Sequence, residues 1–263
     1  MAHQAKGIRV GWGIGALVLG VLGVACQGEA PSDSLLMVTV PDYCPYEFVA
    51  EDGAVVGFDI DLAQAIAQEL GNAELTIQTL PHFNQIIPTL RQGEVDFAMA
   101  AMTPTPARRQ VATFSDIYYT QKIAIVSVAT EGFSDLESLI GKRVGVRTDS
   151  AHAETLMIYS AIEIQRFAQT DGLIAAVKRR KLDAAILDQA IAPKYTTPAS
   201  QLTWFPVEPL TDVAGVAIAF PKNTSLVADT NAAIKKLTED GTLLRLIHQW
   251  FDDYQCWVAP EPS

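Results

Sequence analysis

Positive charge is scarce in this chain. It carries 19 Lys and Arg against 30 Asp and Glu, a formal net charge of -11 over 263 residues. No basic stripe is left over to neutralise phosphates, which argues against nucleic acid as a partner. Cysteine is also rare: Cys26, Cys44 and Cys256 lie far apart and no CxxC occurs. Zinc-like spacing is therefore absent, and neither a metal nor another cofactor is implied. The chain shows no internal repeat and no low-complexity tract. HExxH and GxSxG are missing, and no nucleophile–base pair stands out, so no familiar hydrolytic signature is present. Apolar residues are plentiful, at 49%. They suffice for one large domain or two lobes of roughly 100 residues each.

The longest apolar run, Val10 to Ala25, follows Lys6 and Arg9. Positive start, glycine-rich apolar middle and small residues at the end read as an export signal over residues 1–25. Leu22-Gly23-Val24-Ala25-Cys26 resembles a bacterial lipobox, which makes Cys26 the lipidation site. Gly23 stands where Leu is commonest, so an ordinary cleavage or an uncleaved anchor remains open. Either way the chain is extracytoplasmic, touching the membrane only through a lipid anchor. Residues 26–34 read as a flexible tether. In an oxidising compartment Cys44 and Cys256 can pair, or stay two separate buried thiols.

The chain is organised around Val95 to Tyr119. Val95 to Met102 is a nearly continuous apolar run, expected as a strand buried on both faces. Thr103, Pro104 and Pro106 then force a loop, and Arg108 and Arg109 follow. Ligands bind beyond the carboxyl ends of strands in open α/β sheets, and an arginine fork matches a carboxylate. From the residues alone, a carboxylate site and two solvated helix arginines are both open.

Before this stretch the pattern predicts strands at Leu35–Val40 and Leu75–Leu80. A helix capped by Asp59 and ending at Gly71 lies between them, and a short helix follows at Phe83–Arg91. Near Gln121 the same grammar restarts. It gives strands at Ile123–Val128, Arg143–Arg147, Ile162–Phe167 and Asp183–Leu187, and helices at Phe133–Gly141, after Ser150, and at Gly172–Arg180. A strand at Ala214–Phe220 and helices near Ser225–Glu239 and Thr242–Phe251 close the chain. Two βαβ units in series predict two α/β lobes with a cleft between.

Four motifs then stand in order: Gly57-Phe58-Asp59-Ile60-Asp61-Leu62, Met102-Thr103-Pro104-Thr105-Pro106-Ala107-Arg108, Phe114-Ser115-Asp116-Ile117-Tyr118-Tyr119, and Ile218-Ala219-Phe220-Pro221-Lys222. Together they resemble the family 3 solute-binding proteins, the extracytoplasmic amino-acid receptors of ABC importers, from about Leu35 to Phe251. The resemblance implies the two-lobed type II periplasmic-binding-protein fold. Lobe 1 would be 35–120 plus 217–258 and lobe 2 would be 124–213, crossing near Thr120 and returning near Val213. It implies a monomer with an amino-acid ligand and a membrane permease as partners.

By the same resemblance, Arg108 grips the ligand's α-carboxylate and Asp188 its α-ammonium. Thr103 and the Ala101 carbonyl join the ammonium, Ser150 joins the carboxylate, and Tyr43 and Phe83 sandwich the side chain. The assignment that the resemblance implies is physically coherent, since a zwitterion needs one cation and one anion on opposite walls. Thr103 and Ser150 could be plain helix caps, and Tyr43 and Phe83 core aromatics.

Departures from the family pattern bear on ligand choice. Val40 stands where many members carry an Asp that meets a basic or amide side chain. Asp149 and Ala151 flank Ser150 where glycine and a second hydroxyl are usual. Arg147 occupies a position that in some members reaches the ligand side chain, unless it pairs with Asp149 or lies in solvent. Val40 with Arg147 favours an acidic or amide ligand over a basic one. Two other readings stay open. One is an enzyme resembling the cyclohexadienyl dehydratases on the same fold, with Glu47, His82 or His152 as general acid and His152 expected at the surface. The other is a sensory module for a signalling partner. The leading expectation is a receptor without catalysis.

Overall fold

The computed structural model describes residues 34–71, 74–120, 122–148, 150–157, 159–207, 215–254 and 256. The export signal, Cys26, most of the tether, Gln121, Asp149 and the return point near Val213 lie outside the described residues.

In chain order the first part holds β1 (Ser34–Thr39), β2 (Asp42–Tyr43), β3 (Glu47–Val49), β4 (Val55–Val56), α1 (Phe58–Glu69), β5 (Glu74–Thr79), α2 (Ile86–Gln92), β6 (Phe97–Ala98), α3 (Pro106–Val111) and β7 (Thr113–Tyr119). The second holds β8 (Ile123–Val128), β9 (Arg143–Arg147), α4 (Ala151–Leu156), β10 (Glu163–Phe167), α5 (Thr170–Lys178), β11 (Ala184–Asp188), α6 (Ala192–Tyr195) and β12 (Leu202–Val207). Then come β13 (Val216–Phe220), α7 (Leu226–Glu239) and α8 (Thr242–Ile247), which runs on into a wider-wound turn over His248–Asp253.

The fold is two-lobed. Among the described residues one five-stranded sheet runs β5-β1-β6-β13-β7, a second runs β10-β9-β11-β8-β12, and a small third joins β2-β3-β4. The parallel pairing expected from the βαβ grammar holds for β5-β1-β6 and for β10-β9-β11. The remaining strands, β13 with β7 and β8 with β12, pair antiparallel. The β13 strand returns to the first sheet after the whole second sheet has been built.

Among the described residues three apolar clusters form the core. Met37, Leu62, Ile66, Phe97 and Ile218 belong to one that continues into Val126, Leu173 and Leu187 of the second sheet. The outer faces have clusters of their own, around Ile86, Leu90 and Met102 and around Leu139, Val144 and Ile186. Each fully buried Leu or Ile contributes about 1.5–3 kcal/mol. Aromatic rings fasten the closing helix: Phe251 stacks on Tyr119 at 4.4 Å and meets Phe58 edge-on at 5.0 Å. Trp250 Nε1 donates to Asp61 at 2.9 Å.

Several expectations are corrected. The strand read over Val95 to Met102 is paired only at Phe97–Ala98, although the run is nearly all buried. The chain leaves the sheet and turns left-handed at Ala101, φ 47°. Asp59 does not cap α1. Gly57 takes that position at φ 139°, and a Cβ there would come 2.2 Å from the Tyr46 carbonyl oxygen. Phe133–Gly141 forms only a single tight turn at Glu137–Leu139.

Candidate functional site

The cleft is built from strand ends. In the second sheet, the apolar run Ala184-Ala185-Ile186-Leu187 is buried on both faces and ends at the buried Asp188. The adjacent β9 ends at Arg147, and Ser150 stands just before α4, which begins at Ala151. In the first sheet, the segment after β6 brings Ala100, Ala101 and Thr103, and α3 brings Arg108. Thr105 caps α3 by accepting the Arg108 backbone N–H at 3.4 Å. The small β2-β3 hairpin sets Tyr43 directly opposite Glu47. Cross-strand partners share a face, and both line the cleft.

These residues surround about 480 Å³ of empty space, partly open to solvent. Of those read from the sequence, Tyr43, Phe83, Ala101, Thr103, Arg108, Arg147, Ser150 and Asp188 all line it. Arg108 Nη1 donates to the Thr103 carbonyl at 2.7 Å, and the guanidinium lies 5.1 Å over the Phe83 ring. From across the cleft the Tyr43 hydroxyl donates to Oδ2 of Asp188 on the opposite wall. Burial, and then the facing Asp188 carboxylate, raise the Tyr43 hydroxyl well above its usual value, so it stays a donor. Ser150 donates back to the Arg147 carbonyl at 2.8 Å.

Asp149 lies outside the described residues, and the Arg147 side chain is mostly buried. Its guanidinium lies 5.1 Å over the Tyr43 ring, and Nη2 is 3.4 Å from Asp42 Oδ2. Asp42 was not singled out from the sequence. Its place just before Tyr43, in the loop after a strand, was the available signal. His152 is a correction: it was expected at the surface, yet its side chain is only 12% exposed and Nε2 is 2.9 Å from Asp188 Oδ1. His82 is exposed and lines a neighbouring groove.

Beneath the cleft lie two carboxyls. Asp59 accepts the Ala101 N–H at 2.9 Å and the Tyr118 hydroxyl at 2.8 Å, which holds the left-handed turn at Ala101. Its pKa is raised to about 6, first by burial and against the pull of those donors. Glu47 is hydrogen-bonded to Asp59, and burial, then Asp59, hold its carboxyl well above the usual range.

The Cys44 and Cys256 sulfurs are joined, with Cα atoms 6.1 Å apart and 212 residues between them in sequence. The bond ties the residue after Tyr43 to the chain's last described position. Among the described residues no group of His, Cys, Asp and Glu is arranged to hold a metal.

The profile of the bacterial extracellular solute-binding proteins, family 3, matches residues 35–253. The arginine-binding extracellular protein ArtP of Bacillus subtilis (strain 168) is 34% identical over 227 residues, covering 85% of this chain and 88% of that protein. A probable histidine-binding protein of Campylobacter jejuni is 29% identical over 245 residues, covering 88% of this chain and 94% of that one. A solved ancestral arginine-binding protein bound to glutamine superposes with a TM-score of 0.73 at 30% identity, covering 84% of this chain and 98% of that chain.

Proposed function

This chain belongs to the bacterial extracellular solute-binding proteins of family 3, and from that membership we propose that it is a monomeric receptor that closes two lobes on a free amino acid and hands it to the permease of an ABC importer. Lobe 1 comprises 35–120 plus 217–258 and lobe 2 comprises 124–213. The carrying observation is that Arg108 and Asp188 stand on opposite walls of one cleft. Arg108 takes the α-carboxylate, with Ser150 beside it. Asp188 takes the α-ammonium, with Thr103 and the Ala101 carbonyl. Tyr43 and Phe83 flank the side chain. Cys26 carries a lipid, and Cys44 and Cys256 form a lasting disulfide. The protein binds without turnover.

The side chain ends in a planar N–H-bearing group, with glutamine as the first ligand. The Arg147–Asp42 pair offers one donor and one acceptor side by side, the complement of a primary amide. A second reading, arginine, is favoured by the acids Asp42 and Glu47 in the cleft wall and by the names of the relatives. A thermal-shift screen of the mature domain against the common amino acids tests both, since a ligand of the native state raises its melting point by mass action. A rise with glutamine supports the first reading, and a larger rise with arginine replaces it by the second. A melting point unmoved by any amino acid rejects the receptor. Prephenate and arogenate, incubated with the same preparation, are expected to remain unconverted.

A further inference from the structure

Glu47 is 1% exposed, yet it lines the ligand cleft. Its carboxyl is hydrogen-bonded to Asp59, while Oε2 finds no hydrogen-bond partner among the described residues. An orphaned buried carboxyl oxygen is costly, and this one belongs to a wall of the cavity. Asp59 is already committed: its oxygens accept from Ala101 and Tyr118. Two touching carboxyls out of water cannot both be charged, so in the empty protein the pair holds a proton.

We propose that Glu47 is a ligand-contacting acid that receives the donor group of the side chain, and that a cationic side chain binds only by displacing the proton Glu47 shares with Asp59. The proposal rests on the amino-acid reading above. A neutral N–H group meets Oε2 and leaves the proton in place. A guanidinium or ammonium makes the carboxylate the favoured form, and the proton passes to solvent. Cationic ligands therefore bind more tightly as pH rises, while neutral ligands of the same shape do not. The buried state of the pair agrees, since Asp59 is raised to about 6 and Glu47 is held well above its usual range by burial and by Asp59.

Other charged groups face this pair or its cavity: Asp42 on β2, Arg147 on β9, His152 on α4, Asp188 on β11, and the hydroxyls of Tyr43 and Tyr118. His152 and Asp188 sit where the α-ammonium goes, so they act alike on any amino acid. Arginine and citrulline share length and shape and differ in side-chain charge, so their comparison isolates Glu47.

The experiment is calorimetric titration of the wild-type domain with arginine and citrulline, with glutamine as positive control. It is run from pH 5.5 to 8.5, in two buffers of different ionisation heat. Arginine is expected to release protons, and its affinity relative to citrulline to rise by up to about tenfold per pH unit. Glu47→Gln replaces the protonated acid by a neutral isostere and keeps a donor for Asp59. It is expected to weaken arginine far more than citrulline and to abolish arginine's proton release. Parallel pH profiles for the two ligands overturn the proposal, as does proton release that survives in Glu47→Gln. Binding of glutamine or citrulline with no arginine binding at any pH also overturns it. Failure of all three ligands to bind overturns the side-chain reading beneath it, and this proposal with it.

Discussion

Tyr43 and Asp188 meet across the cleft, one from the loop after the first strand and the other from the end of β11, the hydroxyl donating to the carboxylate. The contact joins the β2-β3-β4 sheet to the second five-stranded sheet, at the place proposed for the ligand's ammonium. A ligand ammonium therefore competes with the tyrosine hydroxyl for the same oxygens. Tyr43→Phe removes the competitor and keeps the ring. The expected outcome is an affinity within about tenfold of wild type, because a neutral hydrogen bond contributes only about 0.5–1.5 kcal/mol net. Tyr43→Ala removes the ring as well and is expected to weaken binding further. Calorimetric titration of the two variants separates ring from hydroxyl.

Arg147 and Asp42 form the cleft's other bridge. If they read an amide, removing either should redirect specificity. Arg147→Ala leaves Asp42 without its cation, so glutamine is expected to lose affinity and arginine to gain. Asp42→Ala removes the acceptor for the amide N–H₂, so glutamine is expected to lose affinity here as well, arginine to lose its acid, and glutamate, which has no N–H to place, to gain. Competition of each amino acid against a bound reference ligand gives the ranking. An unchanged ranking in both variants would remove this pair from specificity.

The Cys44–Cys256 bond closes a loop of more than 200 residues and holds the segment that carries Tyr43 and Glu47. Mild reduction, or Cys44→Ser with Cys256→Ser, is expected to lower stability by about 2–4 kcal/mol. Chemical denaturation with and without reductant measures it. Ligand affinity is expected to fall as well, because Tyr43 is adjacent to the bond.

The buried pair also gives the free protein a pH dependence. Asp59 has a folded pKa of about 6 against 3.8 as its ordinary value. Over that interval the folded chain keeps a proton that the unfolded chain has lost. Stability from this group is therefore greatest below pH about 4 and declines until about pH 6, by on the order of 3 kcal/mol. Glu47, raised for the same reason of burial, acts in the same direction. Asp59→Asn is expected to flatten the fall between pH 4 and 6 in urea denaturation. A wild-type curve rising over that interval, with Asp59→Asn unchanged from it, would contradict the shared proton.

Much of the fold was legible because its strands are short, apolar and bounded by turn residues. Ile123–Val128 and Arg143–Arg147 have the bounds the pattern predicts. The end of the Val95 run was not. Its apolar residues are buried as a strand's would be, but the left-handed turn at Ala101 is held by Asp59, 42 residues earlier, and no local pattern records that contact. Asp59 looked like a cap because it stands where a helix begins. Its inward direction follows from Gly57 pressing against the Tyr46 backbone. His152 was placed outside because a lone histidine beside a helix start is usually solvated, whereas here Asp188 draws it inward. The cleft's inventory was readable from strand ends and the motif resemblance. The partnerships within it, Arg147 with Asp42 and Glu47 with Asp59, join distant segments and needed the structure.

The central claim is that Arg108 holds the carboxylate of a zwitterion and Asp188 its ammonium. The most direct measurement pairs two variants with two ligand fragments. Glutamine, its analogue without the α-carboxylate and its analogue without the α-amino group are titrated into wild type, Arg108→Ala and Asp188→Asn. Each variant is expected to cost glutamine about 2 kcal/mol or more. The analogue without the carboxylate should be indifferent to Arg108→Ala, and the analogue without the amino group indifferent to Asp188→Asn. Equal losses for both analogues in both variants would contradict the clamp and leave the two charges as parts of the scaffold.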